Sequence, residues 1–283
     1  MLKKILSVLA LTVAAVASAG AATTGPAWDV MPVKVTDKAA LQNGAKLFVN
    51  YCLNCHSANY VRYNKLMDLG LTEQQIEDNL LFTGERVGDM MHIALPAQDA
   101  KKWMGVTPPD LSVIARSRAA NLGQPGTDYI YTYLRTFYRD QSSQTGWNNI
   151  VFPNAAMPNP LWRMQGPVEA TITDIKSVED GDTRKWVETV TKFDKDGFAT
   201  LVSEKVLSDY KGGESSSAEI TYLDESKREA FDKNMADLSA FLGWMAEPDQ
   251  HFRKVLGTWV MLFLSLFFVV AWFLNKQYWK NVK

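Results

Sequence analysis

The sequence predicts a mainly α-helical protein that carries a small antiparallel β insertion and ends in one transmembrane helix. Three patterns predict it. Apolar residues recur at helical spacing between about residues 37 and 138 and again over about 224–244. Alternation of period two marks about residues 165–222. An uncharged stretch then runs from Val255 to Leu274, long enough to cross a hydrocarbon core of ~30 Å.

The elements follow in chain order. Lys3 and Lys4 precede an apolar run from Ile5 to Val16 that contains no acidic residue, and the small residues Ala17 to Ala22 follow it. This is the pattern of a secretory signal peptide, taken as residues 1–21 with cleavage after Ala19 or nearby. The run is short and ends in small residues, unlike a retained anchor. Residues 22–254 are therefore expected on the far side of the membrane.

Asp37 is placed to cap a helix through Ala40, Leu41, Leu47 and Phe48. That helix leads into Cys52-Leu53-Asn54-Cys55-His56, which holds both cysteines of the chain. The pentapeptide reads as a covalent haem attachment site: a two-residue gap lets two thiols reach neighbouring vinyl groups, and the next residue falls beneath the iron as its proximal ligand. A thioredoxin-type pair would need a strand-to-helix setting and no trailing histidine. A structural zinc site needs four ligands, whereas only His92 and His251 remain. A disulfide across so short a loop closes too little chain to stabilise much. The body of the protein is thus expected to be a c-type cytochrome haem domain, with helices wrapped around one covalent haem c.

Thr72 with Gln75 has the form of a capping box before Ile76, Leu80 and Leu81. Thr127 or Asp128 starts a helix carrying Ile130, Tyr131, Leu134 and Phe137. Three strands are expected in the insertion, over Ala170–Ile175, Trp186–Phe193 and Phe198–Ser203, joined as a meander by turns at Asp180-Gly181 and Asp194–Gly197. Asp194–Gly197 lacks the later ligands of a calcium loop. Gly212–Ser217 reads as a flexible stretch, and a helix from about Asp224 to Trp244 leads to the anchor.

The anchor is set at residues 255–274. Trp259, Trp272, Tyr278 and Trp279 lie near its ends, where amphipathic rings favour the interface, and Lys276, Lys280 and Lys283 follow it. The tail, residues 275–283, is therefore expected in the cytoplasm. Arg253 and Lys254 on the other flank are accompanied by Glu247 and Asp249. Between signal and tail the chain carries 25 basic and 31 acidic residues, a balance suited to attracting a basic partner or to ordinary solubility.

A haem that shuttles electrons needs a second axial group. His251 sits at the membrane edge. The loop Phe152–Pro160 presents Met157 among stiffening prolines and small alanines, and a thioether ligand raises the reduction potential. Residue chemistry favours Met157, with His92 and an open coordination site as the alternatives.

Several motifs occur in a fixed order: Cys52–His56, Tyr63 and Leu66, Pro108-Pro109-Asp110-Leu111-Ser112, Arg116 and Arg118, Asp128-Tyr129, and Ala246-Glu247-Pro248-Asp249 ahead of Arg253-Lys254 and the span. In these the chain resembles the cytochrome c1 family, the haem-bearing anchor subunits of ubiquinol–cytochrome c reductase. The agreement covers about Leu41 to Trp162 and Leu238 to the C-terminus. The resemblance implies thioether attachment at Cys52 and Cys55, axial ligation by His56 and Met157, a propionate pairing for Arg118, and shielding of the ring by Tyr129 and Pro109. It implies cytochrome b and a Rieske iron–sulfur protein as partners, and a soluble or tethered c-type cytochrome as acceptor. It also implies a place in a bacterial inner membrane with the haem domain periplasmic, as an electron-transfer subunit with no catalytic residue and no nucleic-acid partner of its own. A membrane-anchored monohaem cytochrome serving a terminal oxidase is the alternative. A multihaem peroxidase would be expected to show a second attachment motif. Two departures stand out: the stretch of about Met164 to Tyr222 is longer than the family's connector, and no further cysteines are present to brace the Met157 loop.

Overall fold

The computed structural model describes residues 28–119, 123–180 and 183–281. The expected signal peptide lies outside them, as do Gly181 and Lys283. The chain is mainly α-helical, with a small antiparallel insertion and one long apolar C-terminal helix.

Helix α1 spans Lys38–Leu47, and the Asp37 carboxylate accepts from the amides of Ala39 and Ala40 as its cap. The chain then widens into a π-helical turn, Phe48–Cys52. Strand β1 (Ala58–Arg62) leads through a 3₁₀ turn to α2 (Glu73–Asn79), where the Thr72–Gln75 capping box forms with both reciprocal bonds. Strand β2 (Met90–Met91) pairs with β1, and the short helices α3 (Ala97–Met104) and α4 (Ile114–Ser117) follow. Helix α5 spans Gly126–Arg135, starting one residue before Thr127, with Pro125 at the N-cap. The expected capping group Asp128 instead lies buried and accepts the Met31 amide at 3.0 Å, tying down the N-terminal segment.

Strands β3 (Phe137–Arg139) and β4 (Trp147–Asn149) pair antiparallel, and α6 (Trp162–Gln165) closes the loop that carries Met157. The insertion contains four strands rather than three: β5 (Val168–Asp180), β6 (Thr183–Phe193), β7 (Ala199–Leu207) and β8 (Ser215–Tyr222). The first three form the expected meander. The fourth returns to the free side of β5, giving the order β7-β6-β5-β8. Ser215–Ser217, read from sequence as flexible, therefore sit in β8 opposite Ile175–Thr173. Their strand character comes from the following alternation, in which Ala218, Ile220 and Tyr222 turn inward between exposed neighbours. The sheet joins the core at Val168, Ala170 and Tyr222, while Leu201, Val202 and Val206 of β7 are more than half exposed.

Helix α7 (Glu225–Ala246) is the centre of the core, burying Phe231, Met235, Leu238, Phe241 and Met245. Helix α1 crosses it closely: a Cβ on Gly44 would lie 2.3 Å from the Asp237 carbonyl oxygen, so only glycine permits this approach. Phe48 packs on Phe241 beside the crossing, with ring centroids 5.6 Å apart. Helices α4 and α5 lie against the same helix, and Arg135 bridges Asp29 and Asp232 at 2.6 Å each.

Helix α8 runs from Gln250 to Tyr278, extending beyond the expected span at both ends because Arg253, Lys254 and Lys276 remain helical. Its 29 residues rise about 43 Å, more than a ~30 Å hydrocarbon core needs. None of its residues is buried, which sets it apart from a core helix.

Candidate haem-binding site

The attachment motif follows the π-helical turn at the end of α1. The amides of Cys55 and His56 both bond back to the Cys52 carbonyl, at 3.0 and 2.9 Å, so the two thiols and the imidazole issue from one tight turn. Both cysteines are free. Burial, with the neighbouring Cys55 as the lesser cause, pushes the Cys52 thiol up to about 12. That is the reverse of the depressed thiol that a disulfide-exchange pair requires.

His56 is oriented by the segment opposite. Its Nδ1 lies 2.8 Å from the Pro109 carbonyl oxygen. A carbonyl can only accept, so Nδ1 carries the proton and Nε2 keeps its lone pair. Burial lowers the His56 pKa, against the opposing pull of the Pro109 carbonyl and the Asp110 carboxylate, and so favours the neutral ring. A neutral imidazole with one nitrogen tied to a carbonyl and the other free is a ready metal ligand.

The Pro108–Ser112 segment is stitched to the chain just after the motif. Leu111 donates to the Ser57 carbonyl at 2.9 Å. Asp110 accepts from Asn59 at 2.7 Å and from Ser112 at 2.8 Å, and the Ser112 hydroxyl accepts from Tyr60 at 3.1 Å. The family resemblance implies a shielding role for Pro109. The structure adds its carbonyl as the group that sets the histidine tautomer.

Met157 lies in the loop after β4, partly buried beside the buried Ala155. No disulfide braces this loop. Asparagines do so instead: the Asn149 side chain accepts from Val151 and Phe152 and donates to the Tyr133 carbonyl, and Asn148 accepts from Asn154, which takes the left-handed conformation with φ of 61°. Asn159 accepts from Leu161 and donates to Gln165 at the far end. The Met157 sulfur receives a hydrogen bond from the Tyr133 hydroxyl at 3.5 Å.

Tyr133 was not singled out from the sequence, although its spacing of four from Tyr129 on one helix could have flagged it. The two rings stack, with centroids 6.1 Å apart and planes 8° from parallel. Trp28 meets Tyr129 edge-on at 5.2 Å, and the Arg118 guanidinium lies 5.4 Å from the Tyr129 ring centre. Arg118 is exposed and has no carboxylate partner among the described residues, which leaves its fork free for an outside anion. The structure thus joins Met157, Tyr133, Tyr129 and Arg118 in one chain of contacts, and His56 with Pro109 in another. His92 stands apart from both: it is exposed and its Nδ1 bonds to the Asn59 side chain. His251 lies exposed in the first turn of α8.

The donor set matches what a covalent haem c requires of a protein: two free thiols at two-residue spacing, a neutral histidine with a free nitrogen, a thioether on a braced loop and an unpaired guanidinium. Among the described residues no group of three or more His, Cys, Asp and Glu side chains converges for a metal ion.

Comparison with known proteins agrees with this layout. The cytochrome C1 family pattern matches residues 28–81, 83–196 and 214–282. It includes β5, β6 and β8 and leaves out 197–213, so the departure anticipated for the whole insertion narrows to β7 and the turn after it. The "Ammonia monooxygenase gamma subunit" of Nitrosomonas europaea is 37% identical over 90% of this chain and 88% of its own length. The "Cytochrome c1" of Allochromatium vinosum is 36% identical over 88% of this chain and 87% of its own length, and that of Rhodospirillum rubrum is 26% identical over 87% and 83%. With the Cys-x-x-Cys-His turn, the stitched Pro-Pro-Asp-Leu-Ser segment and the long apolar C-terminal helix all falling within the matched residues, the chain belongs to the cytochrome C1 family.

Proposed function

We propose that this chain is the cytochrome c1 subunit of a ubiquinol–cytochrome c reductase, carrying single electrons from a Rieske iron–sulfur centre to a soluble or tethered c-type cytochrome. The observation that carries the reading is the His56–Pro109 bond, which leaves Nε2 deprotonated and aimed by the protein rather than by solvent. Haem c supplies, when bound, an iron couple that takes up and releases one electron. Cys52 and Cys55 would hold it covalently, His56 and Met157 would ligate it axially, Arg118 would pair with a propionate, and Tyr129 with Pro109 would exclude water from the ring. The chain's own work is placement and tuning; no side chain acts as acid, base or nucleophile.

The layout that fits this role has a signal peptide at residues 1–21, a periplasmic haem domain at 22–254 and a span at 255–274. A cytoplasmic tail at 275–283 completes it, in a bacterial inner membrane. Purification of the native complex tests the proposal: cytochrome b and a Rieske protein should accompany the chain, with one haem c per chain by pyridine haemochrome. Recovery with a terminal oxidase, or with monooxygenase subunits as the name of the Nitrosomonas relative suggests, would reassign the partner. Absence of covalent haem would overturn the cofactor.

A further inference from the structure

The insertion is unexplained by electron transfer, yet it builds one wall of a cleft. The cleft measures about 400 Å³ and lies where the four-stranded sheet, the β3–β4 pair, α6 and α7 meet. Four cationic side chains from four different segments line it: Arg139 of β3, Arg163 of α6, Lys195 of the turn between β6 and β7, and Lys227 of α7.

The two arginines are built into the wall. Arg139 lies 4.2 Å from the centre of the Trp147 ring and Arg163 5.2 Å from that of Trp162, both rings lining the same cleft. An indole under a guanidinium plane restricts its rotamers while leaving the N–H edges free to donate. Neither arginine has a carboxylate partner among the described residues. The lysines do: Lys195 pairs with Asp196 at 2.8 Å and Lys227 with Asp224 at 3.4 Å. Exposed pairs of this kind are worth little, so both ammonium groups can turn to a stronger anion.

We infer that this cleft binds a multiply charged oxyanion of the phosphate class, bridging the β insertion to the haem domain. Two guanidinium forks beside indole rings and two ammonium groups held only in exposed pairs suit a group with several equivalent oxygens better than a single carboxylate, which one fork satisfies. A soluble phosphate monoester and the phosphomonoester headgroup of phosphatidic acid share that chemistry. Lys227 lies about 28 Å along α7 from the Ala246 end that leads to the membrane helix.

Isothermal titration of the full-length holoprotein in detergent tests the site, with sodium pyrophosphate as one probe and dispersed phosphatidic acid, against phosphatidylcholine, as the other. Saturable binding of one pyrophosphate per chain supports a soluble ligand; saturation by phosphatidic acid alone supports a headgroup. In either case Arg139→Gln and Arg163→Gln should each weaken binding about tenfold or more, the equivalent of one charged hydrogen bond. Arg139 is part of a packed wall, so the exposed Lys195→Glu provides a variant that leaves packing intact and should weaken binding similarly. Lys101→Gln, on α3, should change nothing. No saturable binding of either probe, or parent-like affinity in all three cleft variants, would overturn the inference.

Discussion

The Tyr133 hydroxyl donates to the Met157 sulfur across 3.5 Å, from a ring held on both sides by Tyr129 and Phe137. Burial raises the Tyr133 pKa further above its ordinary 10.0, so the phenol stays a donor at every physiological pH. A helix residue thereby aims a loop residue 24 positions away. With Met157 as the proposed axial ligand, drawing electron density from the thioether would make it a weaker donor to ferric iron and favour the ferrous state. Tyr133→Phe should lower the midpoint potential of the holoprotein while leaving its thermal stability nearly unchanged. A redox titration showing no shift would place the hydroxyl outside the tuning of the site.

Met157→Leu should remove the axial thioether proposed here, giving a high-spin or five-coordinate spectrum and a lower potential; Met157→His should stay low-spin with a lower potential. Retention of the parent low-spin, high-potential behaviour by the leucine variant would exclude Met157 and direct attention to His92.

Asp140 reports on the hinge between β3 and β4. Burial alone would raise its pKa, but hydrogen bonds from the Ser142 hydroxyl, Asn148 and the amides of Ser142 and Ser143 outweigh it and hold the carboxyl below the ordinary 3.8. A carboxylate titrating lower when folded than unfolded stabilises fully above 3.8, and that contribution is lost as pH falls through the folded value. Asp140→Asn should therefore flatten the loss of stability as the solution is acidified below the ordinary carboxylate range, read by denaturant unfolding at each pH. At neutral pH it should cost about 1–3 kcal/mol. An identical pH profile for the variant would refute this.

Gly44→Ala places a methyl where the Asp237 carbonyl already sits, so α1 and α7 must part. The expected cost is about 1–3 kcal/mol, seen as a lower thermal midpoint. Because α1 leads directly into the attachment turn, haem incorporation during maturation should fall with it. Full stability in this variant would contradict the close crossing.

What could be read in advance was local chemistry. The caps at Asp37 and Thr72, the α5 stripe of Ile130, Tyr131 and Leu134 and the period-two runs of the insertion depend on neighbours within a few residues, and each formed; Phe137, expected on that stripe, instead opens β3. The start of α5 moved because Asp128 serves Met31, a residue 97 positions away. The fourth strand was missed because the serines of β8 have no strand preference of their own. Pairing with β5, 40 and more residues earlier, holds them.

The candidate site divides in the same way. Cys52, Cys55 and His56 announce themselves because one tight turn carries all three. Met157 was reached from its loop chemistry, and Tyr133 was missed because nothing near it in sequence mentions a sulfur. By itself the sequence determined the Cys-x-x-Cys-His spacing and the long apolar C-terminal helix, both of which rest on spacing along the chain. Only the tertiary structure decided the histidine tautomer, the asparagine bracing of the Met157 loop and the gathering of four cations in one cleft. Each of those depends on distances between segments tens of residues apart, which spacing along a chain does not encode.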